Sequence, residues 1–259
     1  MIAILVNLLK DIVNGNIEVI DLAQPLNEQI PVIQLPEPFS NTGGFKYLRL
    51  SNYDEAGPGW YWNDFVAGEH VGTHFDAPNH WITGREKDGV DTIPIKNMIG
   101  EACVIDVTEQ CAANPDYLLT KDDILLFERE YGRIPEQSWV VLYTGWGKYG
   151  QDPTKFFNIC SDGMSHTPGF SPEASRFLAY ERDILGVGVE TVGTDAGLAS
   201  LFDPPFPSHH YMHGANRYGL AQLANVNLLP PRGAIIIATP LKITGGSGSP
   251  IRPIALVIR

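Results

Sequence analysis

Glu69-His70-Val71-Gly72-Thr73-His74-Phe75-Asp76-Ala77-Pro78-Asn79-His80-Trp81 is the stretch on which the reading of this chain turns. Three of the seven histidines and one carboxylate fall between positions 70 and 80. Imidazole with carboxylate is a donor set for a first-row divalent metal, and a further histidine is a natural proton carrier. His70, His74, Asp76 and His80 are separated by even offsets, so an extended backbone would point all four to one side. A helix would carry Asp76 away from His70 and His74. Gly72, β-branched Thr73 and Pro78 also oppose helix. The spacing predicts a short extended segment that enters a proline-broken turn with its polar side chains converging on a metal.

A His-x-x-x-His pair alone is a weak signal. Here it coincides with Asp76 at a fixed offset, a third histidine and a Gly/Pro turn frame, and geometry of that kind is what turns a polar cluster into a ligand set.

The bulk properties bound the rest. At 259 residues and 44% apolar content, the chain is expected to form one mixed domain over residues 1–259. A net charge of −12 argues against nucleic acid as a partner. No apolar run reaches the roughly 18 residues of a membrane span. The apolar stretch Met1 to Ile12 lacks a basic leader and meets Lys10-Asp11, so it reads as an amphipathic first helix closed by Asn14-Gly15-Asn16. Its exposed face suits subunit contact. Cys103, Cys111 and Cys160 form no CxxC pair and leave one over, the profile of reduced thiols in a cytoplasmic protein. Cys103, inside Ala102–Val107, reads as a small core residue.

Strand-like runs recur at 17–22, 46–51, 102–107, 139–143, 185–191, 234–238 and 254–258, rich in Val, Ile and aromatic residues. Helices are expected at 4–13, 121–131, 171–181 and, more weakly, 222–224. Thr120 and Ser171 look like N-caps, the latter followed by Pro172 at the first helical position. The fold class is α/β, a single domain with a mixed, barrel-like sheet and flanking helices.

A second cluster, Pro207-Ser208-His209-His210-Tyr211-Met212-His213-Gly214, follows Pro204 and Pro205 and reads as an irregular loop. If both clusters face one pocket, His209 and His213 serve substrate binding there; a solvated surface cluster is the plainer alternative. Trp60, Trp62, Phe65 and Trp81 surround the metal segment, and three of the five tryptophans lie within 22 residues. Part of that is core packing. The rest suits a pocket for a flat aromatic substrate, a lactam or formamide. Asp195 reads equally as a turn residue or as a brace for a ligand imidazole, and His166 as a structural or rim residue.

His70-x-Gly72-Thr73-His74-x-Asp76-x-Pro78-x-His80 resembles the HxGTHxDxPxH signature of the metal-dependent cyclase superfamily, which includes kynurenine formamidases and isatin hydrolases. The likeness extends to Ile20–Leu26, Leu142–Trp146, His166–Ala174 and Gly193–Asp195. It implies a swivelling β/β/α fold and a homodimer or larger assembly in which aromatic loops reach a neighbour's pocket. It also implies metal-assisted hydrolysis of a carbon–nitrogen bond, with His80 as general acid/base. In formamidase-type relatives a histidine is followed twelve residues later by a metal-binding Glu. From His210 that count reaches Gln222. A neutral amide there favours one metal, held by His70, His74, Asp76 and Gln222, and opening of isatin over cleavage of N-formylkynurenine. Nitrogen and oxygen donors without thiolate suit Mn²⁺, with Zn²⁺ the other candidate. A non-catalytic metal- or metabolite-binding protein is the rival from another class.

Overall fold

Trp139-Val140-Val141-Leu142-Tyr143 is apolar on both faces, as a strand sandwiched between two layers must be. The computed structural model describes residues 2–35 and 37–258; Met1, in the expected first helix, lies outside them. In chain order the strands are β1 (Ile17–Asp21), β2 (Lys46–Asn52), β3 (Tyr61–Val66), β4 (His74–Asp76), β5 (Ile99–Asp106), β6 (Leu118–Leu119) and β7 (Trp139–Tyr143). They continue with β8 (Gly169–Phe170), β9 (Gly186–Val189), β10 (Tyr218–Ala221), β11 (Ala234–Ile237), β12 (Gly248–Pro250) and β13 (Ile254–Ile258). The α-helices are α1 (Ile2–Asn14), α2 (Thr108–Ala113), α3 (Lys121–Tyr131), α4 (Pro153–Phe157), α5 (Pro172–Glu181) and α6 (Pro207–Gly214).

Nine strands form one mixed sheet in the order β1-β13-β11-β5-β7-β9-β10-β4-β12. Its centre, β5-β7-β9-β10, is parallel, and every other pairing is antiparallel. The sheet curls into the expected barrel-like, mixed α/β arrangement. Alternate residues of β7 divide between two cores. Trp139 and Val141 pack inside the curl with Phe75, Tyr218 and Leu220. Val140 and Leu142 face the helical layer, where Phe127 of α3, Phe177 and Leu178 of α5 and Met212 of α6 cover the sheet.

The predicted elements at 17–22, 46–51, 102–107, 139–143, 121–131 and 171–181 are all present within a few residues at each end. Thr120 and Asp123 cap α3 reciprocally, and Ser171 accepts the Ala174 amide at the start of α5. Two expectations are corrected. Residues 222–224 are not helical; they prolong β10 into a bridge between Ala23 and Leu223. Residues 207–214 are not a loop but helix α6. Pro207 stands at its first turn, where the missing N–H costs nothing.

Glu128 on α3 grips Arg182 at the end of α5 through two bonds, 2.6 and 2.8 Å, both side chains nearly buried. Burial raises the Glu128 carboxyl, but the Arg182 guanidinium outweighs it and holds the carboxyl below its ordinary value of 4.5. A lowered folded-state pKa adds stability above the unfolded value, and that stability is lost as pH falls through the folded one. Arg182→Met should therefore cost roughly 3 kcal/mol at neutral pH by stranding a buried carboxylate. Urea unfolding should show the gap from wild type narrowing below pH 4.5. Equal stability at neutral pH would mean the pair contributes nothing.

Candidate metal centre

β4 is three residues long and wholly buried, squeezed antiparallel between β10 and β12. His74 and Asp76 face one side, and Phe75 faces the core, with its ring 5.4 Å from Tyr218 and 6.3 Å from Trp139. The strand ends there. Gly72, at φ +63°, turns the chain so that His70 folds back to place Nδ1 2.7 Å from Asp76 Oδ1. Beyond β4, the 3-10 turn Pro78–His80 stacks the His80 ring on that of His70, with centroids 3.8 Å apart. The four predicted residues do converge, but through two turns around a short strand rather than along one extended segment.

α6 brings the second cluster to the same place. A helix puts residues four apart on one face, so His209 and His213 point inward together. Asp76, His209 and His213 form one set of potential donor atoms, and His70, His74 and Asp76 form another. His80 bridges them, with its ring 5.6 Å from His209 and 6.0 Å from His213. His210, on the other face, packs against Tyr211, and its carbonyl accepts the Thr83 hydroxyl. Trp81 completes the rim, its ring 4.9 Å from His209 and 5.5 Å from Phe206.

The hydrogen bonds show what the centre requires. His74 gives its Nδ1 hydrogen to the Gly72 carbonyl at 2.7 Å, so Nε2 is the ring atom that faces Asp76 Oδ1, at 3.3 Å. Asp76 Oδ2 and His213 Nε2 are buried with no partner. Burial alone would raise the Asp76 carboxyl, but His74 and His70 outweigh it and hold it well below the carboxylate range. A buried carboxylate flanked by imidazoles, with one oxygen and one imidazole nitrogen free of hydrogen-bond partners, is a donor set suited to a cation. The residues fit a divalent metal with nitrogen and oxygen donors. Gly219 lies against the carboxylate, where an added Cβ would come 2.8 Å from Asp76 Oδ2.

The outer histidines are set apart in charge. Burial, then the neighbouring His70, depresses His80 to about 2. Burial and His209 depress His213 to about 4. Burial also pushes His209 down, but the bond to Asp195 and the charge of that carboxylate reverse it, so its pKa is raised. Asp195 accepts the Ser208 and His209 amides at the start of α6 as well as His209 Nδ1. Between the two readings left open from sequence, the brace is the one observed, although it acts on His209 rather than on the β4 histidines.

Gln222 is buried, directly after Ala221, which pairs with His74. Its backbone sits at φ +53°, its carbonyl accepts the Thr73 hydroxyl at 2.6 Å, and its Nε2 donates to the Pro31 carbonyl at 3.3 Å. His166 lies elsewhere, between Asp116 and Asp162. Trp60, Trp62 and Phe65 belong to the β2-β3 hairpin and are half-exposed or more. The Trp60 and Trp62 ring centroids are 6.1 Å apart and Phe65 stacks on Phe45, whereas among the described residues no ring contact joins any of the three to the histidines. A cavity of about 1150 Å³, lined by Gln24, Tyr143, Trp146 and Glu190, opens beyond Thr73 and contains none of the histidines.

The family described as "Putative cyclase" matches residues 20–196. The chain belongs to the cyclase family. It is 46% identical over 249 residues to the isatin hydrolase of Roseibium aggregatum, covering 95% of this chain and 94% of that one. The solved structure of an isatin hydrolase bound to the product analogue thioisatinate matches with a TM-score of 0.97 at 43% identity, over 99% of this chain and 98% of that chain. The kynurenine formamidase of Salinibacter ruber is 28% identical over 71% of this chain and 74% of its own length.

Asp76→Asn should weaken divalent-metal binding beyond the 10–100-fold typical of groups that only orient ligands, roughly 100-fold or more. Competition against a fluorescent chelator measures this. Unchanged affinity would remove Asp76 from the centre.

Proposed function

We propose that this protein is a metal-dependent amidohydrolase that opens the lactam ring of isatin to isatinate. The observation that carries this reading is identity to an isatin hydrolase along nearly the whole chain, with an intact buried His/Asp centre at the matching motif. The 259 residues act as one domain. His70, His74 and Asp76 hold the ion, with the Gln222 amide oxygen as a fourth donor, and we assign manganese over zinc. Such an ion, when bound, acidifies a coordinated water and polarises a carbonyl.

The chain's own groups do the remainder. His80, stacked on His70 beside the ligand set, accepts the proton of the attacking water and returns it to the lactam nitrogen as the ring opens. His209, its pKa raised by Asp195, pairs with the oxygen charge that develops and with the product carboxylate. His213 and Trp81 line the same pocket, and Trp81 offers a flat face to an aryl lactam.

The half-exposed aromatic hairpin suggests a homodimer in which Trp60, Trp62 and Phe65 wall the pocket of the neighbouring copy. Among the described residues no helix is long and apolar enough to cross a membrane, and all three cysteines are free. We read the setting as cytoplasmic. Arylformamidase action on N-formylkynurenine is the second reading, and the neutral Gln222 counts against it.

His80→Ala should lower the rate of isatin consumption at least 100-fold, the lower end of what general acid–base catalysis contributes, while leaving the bound metal content unchanged. Absorbance of isatin and metal analysis of the same sample read both. Retained turnover would remove His80 from the chemistry.

A further inference from the structure

Both ring nitrogens of His70 are engaged. Nδ1 faces Asp76 Oδ1, and Nε2 lies 2.9 Å from Ser247 Oγ. A serine hydroxyl owns one hydrogen. Ser247 spends it on Glu69 Oε2 at 2.6 Å, and the same oxygen accepts the Ser247 amide at 3.1 Å. Ser247 Oγ can therefore only accept from His70, so the His70 hydrogen must sit on Nε2. With Nε2 used in this way, Nδ1, 2.7 Å from a carboxylate oxygen, is the ring atom left to face the centre. His74 is oriented the opposite way, with its Nδ1 hydrogen given to Gly72 and its Nε2 facing the centre.

We propose that Glu69 and Ser247 form a positioning relay that fixes the His70 tautomer, so that His70 binds the metal through Nδ1 while His74 binds it through Nε2. The proposal rests on the metal reading of the centre. The relay is held in place from both ends. The Ser247 carbonyl accepts the Ala77 amide at 2.9 Å, fastening its loop to the end of β4. Glu69 adjoins His70 in sequence. The next residue, Gly248, leaves room for the ring, since a Cβ there would come 2.4 Å from His70 Cε1 and 2.7 Å from the Phe75 carbonyl. A carboxylate acting on a ligand imidazole, here through one hydroxyl, fixes ring orientation and makes the ligand more basic.

The test uses the full chain, stripped with chelator and titrated with metal. In ¹⁵N spectra of the Zn²⁺-loaded protein, His70 should carry its proton on Nε2 and its metal on Nδ1, with His74 the reverse. Ser247→Ala should weaken Mn²⁺ binding about 10–100-fold, and Ser247→Thr, which keeps the hydroxyl, should restore it. Adding Glu69→Ala to Ser247→Ala should cost about twofold at most, because two members of one relay do not add. Nε2 ligation by His70 in the wild type would overturn the proposal, even if a variant fails to fold. Mn²⁺ affinity within about twofold of wild type in a folded Ser247→Ala protein would overturn it too. A wild type that binds neither Zn²⁺ nor Mn²⁺ would overturn the metal reading along with it, whereas a relay failure leaves that reading intact.

Discussion

The charge on Asp76 is the constraint around which the centre is organised. An ionised carboxylate in a dry interior is tolerated only if it is paired or coordinates a metal. Here four imidazoles, those of His70, His74, His209 and His213, lie within reach of a shared ion with it, and one of its oxygens has no hydrogen-bond partner. Hydrogen bonds within the protein leave Asp76 Oδ2 and His213 Nε2 without partners, and the donor types fit a divalent cation. The stability and the chemistry of the molecule meet at this one group.

The architecture follows from holding that carboxylate still. β4 is too short to be stable alone, and its three residues are fixed because β10 and β12 pair with it on either side. Phe75 anchors it against Trp139 and Tyr218 in the core. Gly219 and Gly248, the residues that pair with Asp76 on its two sides, are the positions where any side chain would displace Asp76 or His70. Helix α6 then supplies two further imidazoles on one face, and Asp195 both caps that helix and sets the charge of His209. In the proposed reading the sheet provides the metal ligands and the helix provides the groups that meet substrate.

Periodicity exposed the regular part of this fold. The apolar runs of β1, β5, β7 and β13 and the caps of α3 and α5 are local signals, and they carried through. α6 was hidden because three prolines in four residues read as breakers, although Pro207 is compatible with a helix start; so His209 and His213 were found without the spacing that separates them from His210. The motif from His70 to His80 signalled a converging His/Asp cluster, but the even spacing suggested one strand where turns at Gly72 and Pro78 do the folding. Ser247 could not be found from sequence. Gly245-Gly246-Ser247-Gly248 looks like a flexible linker, and only tertiary contact with Glu69 and His70 gives the serine a task. Trp60, Trp62 and Phe65 carried an aromatic signal whose place in one chain is an exposed hairpin, and a pocket role for them requires a second copy.

The central claim is that this buried carboxylate centre holds a metal that opens a lactam. The most direct measurement follows isatin absorbance with chelator-treated protein, before and after Mn²⁺ is restored. The account predicts negligible loss of isatin without metal and rapid loss with it, and no comparable cleavage of N-formylkynurenine. Metal-independent consumption of isatin, or cleavage of the formamide alone, would contradict it.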